Sequence, residues 1–261
     1  MAQFIVTGKA DESGIQAHVP GEEVVPNSLP NDEVTITVTT RYAYTHFLDE
    51  LDDKLAQYEI RGELAAQAGE VLSIKIDKDV FYGITHDGGT FTPKPGQSAA
   101  ASVVATGYTA ATTAEEKGNA IIEALFGVKT VLNQRDVTAD PTIVMAPQDY
   151  YYIVQSTRGT NSDWTNGNGG IDVGQVRQVA GFSMAWSNHL DKTDQSGNDG
   201  IDATNLIALC YTPDVYGVVK AMDLTSEANY DFRRLGWQLT SYYAMGMGPL
   251  NATGLVFLMS D

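Results

Sequence analysis

The sequence is poor in cysteine, in basic clusters and in long apolar runs, and each shortage excludes something. Its one cysteine, Cys210, leaves no internal disulfide framework, so folding in a reducing, cytosolic compartment is the default. No run of eighteen or more apolar residues exists, so no membrane span is expected. Met1 to Ala10 lacks the basic and apolar regions of a signal peptide. Lys and Arg total 16, with no dense cluster, against a net charge of −17. A groove-binder of nucleic acid needs basic patches to neutralise phosphates, so tight or sequence-specific binding is argued against. The acidity fits simple solubility, and equally a surface that lies near DNA without adhering to it. Composition does not separate the two.

What is present is a chain of 261 residues with an ordinary apolar share of 43%, enough for one large domain or two modest ones. Residues 1–43 are polar and turn-rich, with Pro20-Gly21, Pro26, Asn27 and Pro30 as breakers. Phe4-Ile5-Val6 reads as a strand. So does the run in which Val34, Ile36 and Val38 alternate with Thr35, Thr37 and Thr39. Two strands joined by a long tip make an extended hairpin, which is marginal in water unless it lies on something else.

Residues 45–82 read as one long helix. Leu48, Leu51, Leu55 and Tyr58 recur at helical spacing, with Asp49, Glu50, Asp52 and Asp53 at the start and Lys75 and Lys78 near the end. Such a helix spans roughly 50 Å, a spine for an elongated subunit. Gly62 and Gly69 inside it suggest close packing or a bend. Residues 86–111 read as loop or short strands. Thr113 to Glu116 is a capping box opening a helix with Ile121, Leu125, Val128 and Leu132 on its apolar face. Strands are expected at 142–146, 182–186, 206–211, 223–229, 235–245 and 254–259, a helix from Pro147, and a Gly-rich break at Gly246 to Pro249. Residues 157–170 and 188–203 read as surface loops. Strands and helices alternate without a regular βαβ period, which favours α+β.

Catalytic motifs fail on inspection. Gly167, Gly169 and Gly170 are followed by no Lys of a phosphate loop. Ser183, near His189, sits in a strand-like run and not on a nucleophile elbow. Asp191, Asp194, Asp199 and Asp202 break the order of a calcium loop, with Ser196 at the glycine position. His18, His46, His86 and His189 lack metal-ligand spacing. Cys210 reads as a small core residue. No catalytic, metal or cofactor residue is assigned. A carboxylate-based hydrolase would need convergent carboxylates in a pocket, and no telling spacing offers them.

Several stretches, in order, resemble the major capsid proteins of autographivirus-type, short-tailed phages. They are Ala2-Gln3-Phe4 through Gly8 with Val19-Pro20-Gly21-Glu22, then Asp49-Glu50-Leu51-Asp52-Asp53 through Gln57-Tyr58-Glu59-Ile60-Arg61 with Glu63, Gln67 and Gly69-Glu70. Val179 to Phe182 with Asn188-His189-Leu190 follows, and then Gly217 to Lys220, Asp223-Leu224, Ala228 to Tyr230 and Tyr243 to Gly248. The resemblance implies an α+β, Hong Kong 97-type capsid fold. It assigns 1–44 to an extended loop, 45–111 and 223–261 to a peripheral domain with the spine helix, and 112–222 to an axial domain. It implies a non-enzymatic shell subunit. Hexamers and pentamers would tile an icosahedral head around double-stranded DNA, assembled in the host cytoplasm and ending in the virion. Scaffolding and portal proteins are the expected assembly partners, and packaged DNA a non-specific neighbour. Inter-subunit contacts are expected at His18, Pro20, Gly21, Glu22, Asp49, Asp52, Asp53 and Arg61. Family members usually carry an N-terminal arm ahead of the matching segment. Here the match begins almost at Met1, so another contact or a cement protein is expected to replace that arm's reach. An encapsulin-like protein compartment of the same fold is the alternative.

Overall fold

The computed structural model describes residues 2–7, 15, 17–18, 20–21, 23, 31–56, 59–94, 96–160, 169–170, 175–176, 178–198 and 200–261. In chain order the elements are β1 (Ala2–Thr7), β2 (Asn31–Ile36), β3 (Arg41–Asp49), α1 (Glu50–Leu55), α2 (Ile60–Thr90), β4 (Ala101–Ala105), α3 (Ala114–Gln134), β5 (Thr142–Met145), α4 (Pro147–Gln155) and α5 (Thr157–Thr160). There follow β6 (Gly169–Gly170), β7 (Gln175–Val176), β8 (Gln178–Val179), β9 (Phe182–Trp186), β10 (Leu206–Tyr211), β11 (Tyr216–Asp231), β12 (Gly236–Pro249) and β13 (Val256–Ser260).

Two larger sheets organise the chain. One has six strands in the order β4-β13-β10-β5-β9-β8, and the other three in the order β11-β12-β3. Period-two alternation in β10 and β13 feeds both faces of the six-stranded sheet. Ile207, Ala208, Cys210, Val256 and Leu258 face α3 and α4, against Ile121, Leu125, Val128 and Ile153. Leu209, Leu255 and Phe257 face the other way, toward Ile84 of α2. The N-terminal half of α2 lies on the three-stranded sheet instead, where Leu72 packs with Tyr243 and Met245. One helix therefore braces both sheets. Its 31 residues make a rod of about 46 Å.

The expected capping box is present: Thr113 accepts from the Glu116 N–H while the Glu116 carboxylate accepts from the Thr113 N–H, starting α3 at Ala114. Ile121, Leu125, Val128 and Leu132 are all buried, and Pro147 opens α4 as expected.

The single helix over 45–82 is corrected. Residues 41–49 are β3, paired antiparallel with β12 so that Tyr42 opposes Tyr243 and Leu48 opposes Trp237. Tyr42, Tyr44, His46 and Leu48 turn inward while Arg41, Ala43, Thr45 and Phe47 are exposed. That aromatic, two-residue period decides for strand, and the leucine spacing that suggested helix bridges a strand and a helix. A short α1 follows and ends at Leu55, and α2 begins at Ile60. Gln57 and Tyr58 lie outside the described residues.

The rod also runs on to Thr90, past the expected end. Glycines in these last turns are packing sites: a Cβ on Gly83 would strike the Tyr216 ring, and one on Gly88 would strike Leu255 and Phe257. Gly62 and Gly69, by contrast, have no atom within 3.4 Å of an added Cβ, so of the close packing or bend expected of them the packing is absent. The break expected at Gly246 to Pro249 is likewise continuous β12, which bonds to β11 through Tyr216↔Pro249.

Candidate assembly surface

Three features leave the subunit's own surface incomplete. The first is the hairpin of β1 and β2, in register from Ala2↔Ile36 to Thr7↔Asn31. Its base is anchored by Ile36, 3% exposed, seated between two glycines of the long sheet. A Cβ at Gly217 would lie 2.9 Å from Ile36 and one at Gly248 3.3 Å, so glycine there makes the socket. Beyond the anchor, His18, Pro20 and Gly21 are exposed, and Gly21 takes φ +96° in the Pro20-Gly21 turn. Only glycine adopts that angle without cost. Glu22 and most of the tip between residues 7 and 31 lie outside the described residues.

The second feature is the edge strand β11. Residues 220–229 are exposed on both faces, and register shifts interrupt its pairing with β12 near Met222. A sheet edge of this length presents unpaired backbone groups to any chain that comes alongside.

The third is the far end of the β11–β12 hairpin, where α1 docks. The Glu50 N–H donates to the Leu235 carbonyl at 3.1 Å, and the Tyr230 hydroxyl donates to Glu50 Oε2 at 2.6 Å. Hydrogen bonds from Lys54 and Tyr230 hold the Glu50 carboxyl below its usual range. The acidic residues expected at subunit contacts gather here. Asp49 caps α1 by accepting from the Leu51 N–H at 2.8 Å. Asp52 is exposed. Asp53 pairs with Arg61 of the same chain, Nε to Oδ1 at 3.2 Å, and the Arg61 guanidinium lies 4.1 Å from the Trp237 ring centre. The residues around these, Tyr230 to Trp237, were missed in sequence. Their signal was an apolar, aromatic and basic composition at a turn where polar residues are the norm.

The remaining polar clusters are structural. Asp149, 3% exposed, accepts from the Tyr108 hydroxyl at 2.6 Å and from Lys192 Nζ at 3.0 Å, tying α4 to the turn after β4 and the loop after β9. In the acidic loop, Asp191 accepts from Thr193, Asp194 from Ser196 and Asp202 from Thr204, so each carboxylate serves its own turn. Asp199 is outside the described residues. Among the described residues no three His, Cys, Asp or Glu side chains are grouped to hold a metal, and no helix is long and apolar enough to cross a membrane. Ser183 lies in mid-strand in β9, opposite Thr142 and Gln178.

Solved structures share this fold. The capsid structure of cyanophage P-SCSP1u superposes with a TM-score of 0.81 at 24% identity, covering all of this chain and 83% of that one. The mature capsid of bacteriophage PhiM1 does so with 0.75 at 18% identity, covering all of this chain and 82% of the other. The fold is the α+β, Hong Kong 97-like fold of phage capsids.

Residues 4–258 match the Gp10A-like major capsid protein family, and the chain belongs to that family. Among curated relatives it is 24% identical to the major capsid protein of Escherichia phage T7, covering 95% of this chain and 79% of that protein. It is 25% identical to the same phage's minor capsid protein, covering 99% of this chain and 71% of that one. The chain is a tailed-phage major capsid protein, a structural component of the virion's icosahedral shell. A compartment shell of the encapsulin type is not favoured.

Proposed function

We propose that copies of this subunit ring into hexamers and pentamers, and that these tile a closed head around double-stranded DNA. The single observation behind this reading is the β1–β2 arm, a two-stranded hairpin anchored on the long sheet by Ile36. Two strands alone are marginal in water, so the arm gains its stability by lying over a neighbour. His18, Pro20, Gly21 and Glu22 would lie at that contact. Asp49, Asp52 and Asp53, at the end of β3 and on α1, and Arg61 at the start of the spine would meet a neighbour, with Asp53 and Arg61 arriving as a pre-formed pair. Heterologous contacts of this kind close into rings.

The proposed division keeps 1–44 as extended loop, 45–111 with 223–261 as peripheral domain and 112–222 as axial domain. At the level of sheets, β4 and β13 go with the axial strands. The net charge of −17 fits an inner wall that repels packaged DNA and leaves it mobile. The subunit has no enzymatic role; scaffolding and portal proteins join it during assembly in the host cytoplasm, and a cement protein is a further candidate partner. Expression of the chain followed by electron microscopy tests the reading. Closed shells or isolated five- and six-fold rings are expected, and a solely monomeric protein at high concentration would contradict it.

A further inference from the structure

We propose that the loop between β9 and β10 carries a releasable latch on α2, with Gln195 as its bolt and Thr85 as its slot. Gln195 is 2% exposed and Thr85 0%. Gln195 donates from Nε2 to Thr85 Oγ1 at 3.1 Å, across 110 residues of chain. The loop is shaped to push that one side chain inward. Its neck closes through a bridge between Asp194 and Asp202, and the Gly200 N–H donates to the Gln195 carbonyl at 3.0 Å. A Cβ on Gly200 would lie 2.7 Å from the Gln195 Cβ, so the returning chain passes where only glycine fits. The ends of the loop are fixed separately, with Leu190 and Ala203 buried in one cluster with Ile84, Leu206 and Phe257. The part between them can lift without unseating that cluster.

The seat itself is polar and incompletely paired, unlike the apolar cores on either side of it. Gln195 Oε1 is buried with no hydrogen-bond partner among the described residues, and so are His189 Nδ1 and Asp79 Oδ2 where the loop meets α2. His189 Nδ1 faces Asp77 Oδ2 at 3.4 Å without a hydrogen bond. A buried acceptor without a donor opposes the closed state, because water satisfies it on opening. Beside this seam lies a cavity of about 470 Å³, walled by Lys75, Lys78 and Tyr82 of α2 and by Asn188, His189 and Asp191 of the loop.

Seated, the bolt braces α2 against the six-stranded sheet. Lifted, it uncovers Thr85 and leaves α2 held there by Ile84 and its apolar neighbours, with the cavity as space to tilt into. Segments with few apolar contacts and unpaired polar groups are the first to open. The latch therefore sets how freely the helix that braces both sheets changes its angle to one of them. It belongs to the single subunit and stands whether or not shells form.

The test uses the full chain in dilute solution. Native-state amide exchange should show residues 191–198 opening as a block ahead of β10 and α3. Gln195→Ala should speed that block by about tenfold or more while β10 and α3 keep their wild-type rates. Thr85→Val keeps the shape of the slot and removes its acceptor. It should give the same pattern, and it serves where Gln195→Ala does not fold. Unchanged exchange at 191–198 in either folded variant, or β10 accelerated to match, overturns the proposal. Spin labels on Ser73→Cys and Glu123→Cys, both exposed sites, report the tilt, since the native Cys210 is buried. One narrow distance is expected in the labelled chain, and a broader distribution once Thr85→Val is added. A distance that stays narrow there means that the loop opens without freeing the helix, and overturns the latch.

Discussion

Asp149 and Cys210 show how far individual residues around the six-stranded sheet are committed to structure. Asp149 is the common acceptor for Tyr108 and Lys192, and its side chain is buried while that of Lys192 is 40% exposed. Asp149→Ala should therefore cost about 3 kcal/mol, because the Tyr108 hydroxyl loses its acceptor in the interior. Lys192→Met should cost less, since the lysine is partly solvated and Asp149 keeps the Tyr108 hydrogen bond. Denaturant titration of the two variants checks the order, and equal costs would mean that the burial of Asp149 is not what sets the penalty. Burial pushes the Cys210 thiol up to about 12. Below that pH the folded thiol is protonated, and the thiolate is the reactive form. Iodoacetamide at pH 8 should leave the native protein unmodified and label it fully in denaturant. Rapid native labelling would contradict the packing of β10.

At the scale of elements, glycine positions decide where segments cross. A Cβ on Gly118 of α3 would lie 2.2 Å from the Tyr152 carbonyl oxygen of α4, a backbone atom that cannot swing aside. Gly118→Ala raises helix propensity by about 1 kcal/mol, yet the collision should win and destabilise by about 2 kcal/mol net. A more stable variant by thermal melting would show that the helices separate freely. A Cβ on Gly246 would lie 2.5 Å from the Thr37 carbonyl oxygen. Gly246→Val should lift the segment after β2 from the long sheet, raising amide exchange at residues 33–38 while the six-stranded core stays protected. Unchanged exchange there would remove Gly246 from the arm's seat.

These crossings also explain what the sequence made legible. α3 could be read because its cap and its apolar period lie within one element, and β2 because Val34, Ile36 and Val38 alternate over a surface that buries only Ile36 fully. β3 was misread because Leu48, Leu51 and Leu55 keep a helical spacing across a strand–helix junction. The last turns of α2 were misread as loop because what holds them helical, Tyr216 against Gly83 and Leu255 against Gly88, comes from strands distant in sequence. The acidic residues expected at subunit contacts are visible in the sequence, but their setting, beside Trp237 and the exposed turn, depends on a hairpin joined some 180 residues away, as in the Tyr230–Glu50 bond.

For the whole molecule, the central claim is that the arm is completed by a neighbouring copy. The rod and the two sheets have their own cores, so removing the arm's tip should spare the subunit's fold. Deletion of residues 18–31 followed by sedimentation and electron microscopy measures this most directly. The expected result is a soluble, folded subunit with a near-normal melting temperature that forms neither rings nor shells. Normal shells from the deleted chain would contradict the account.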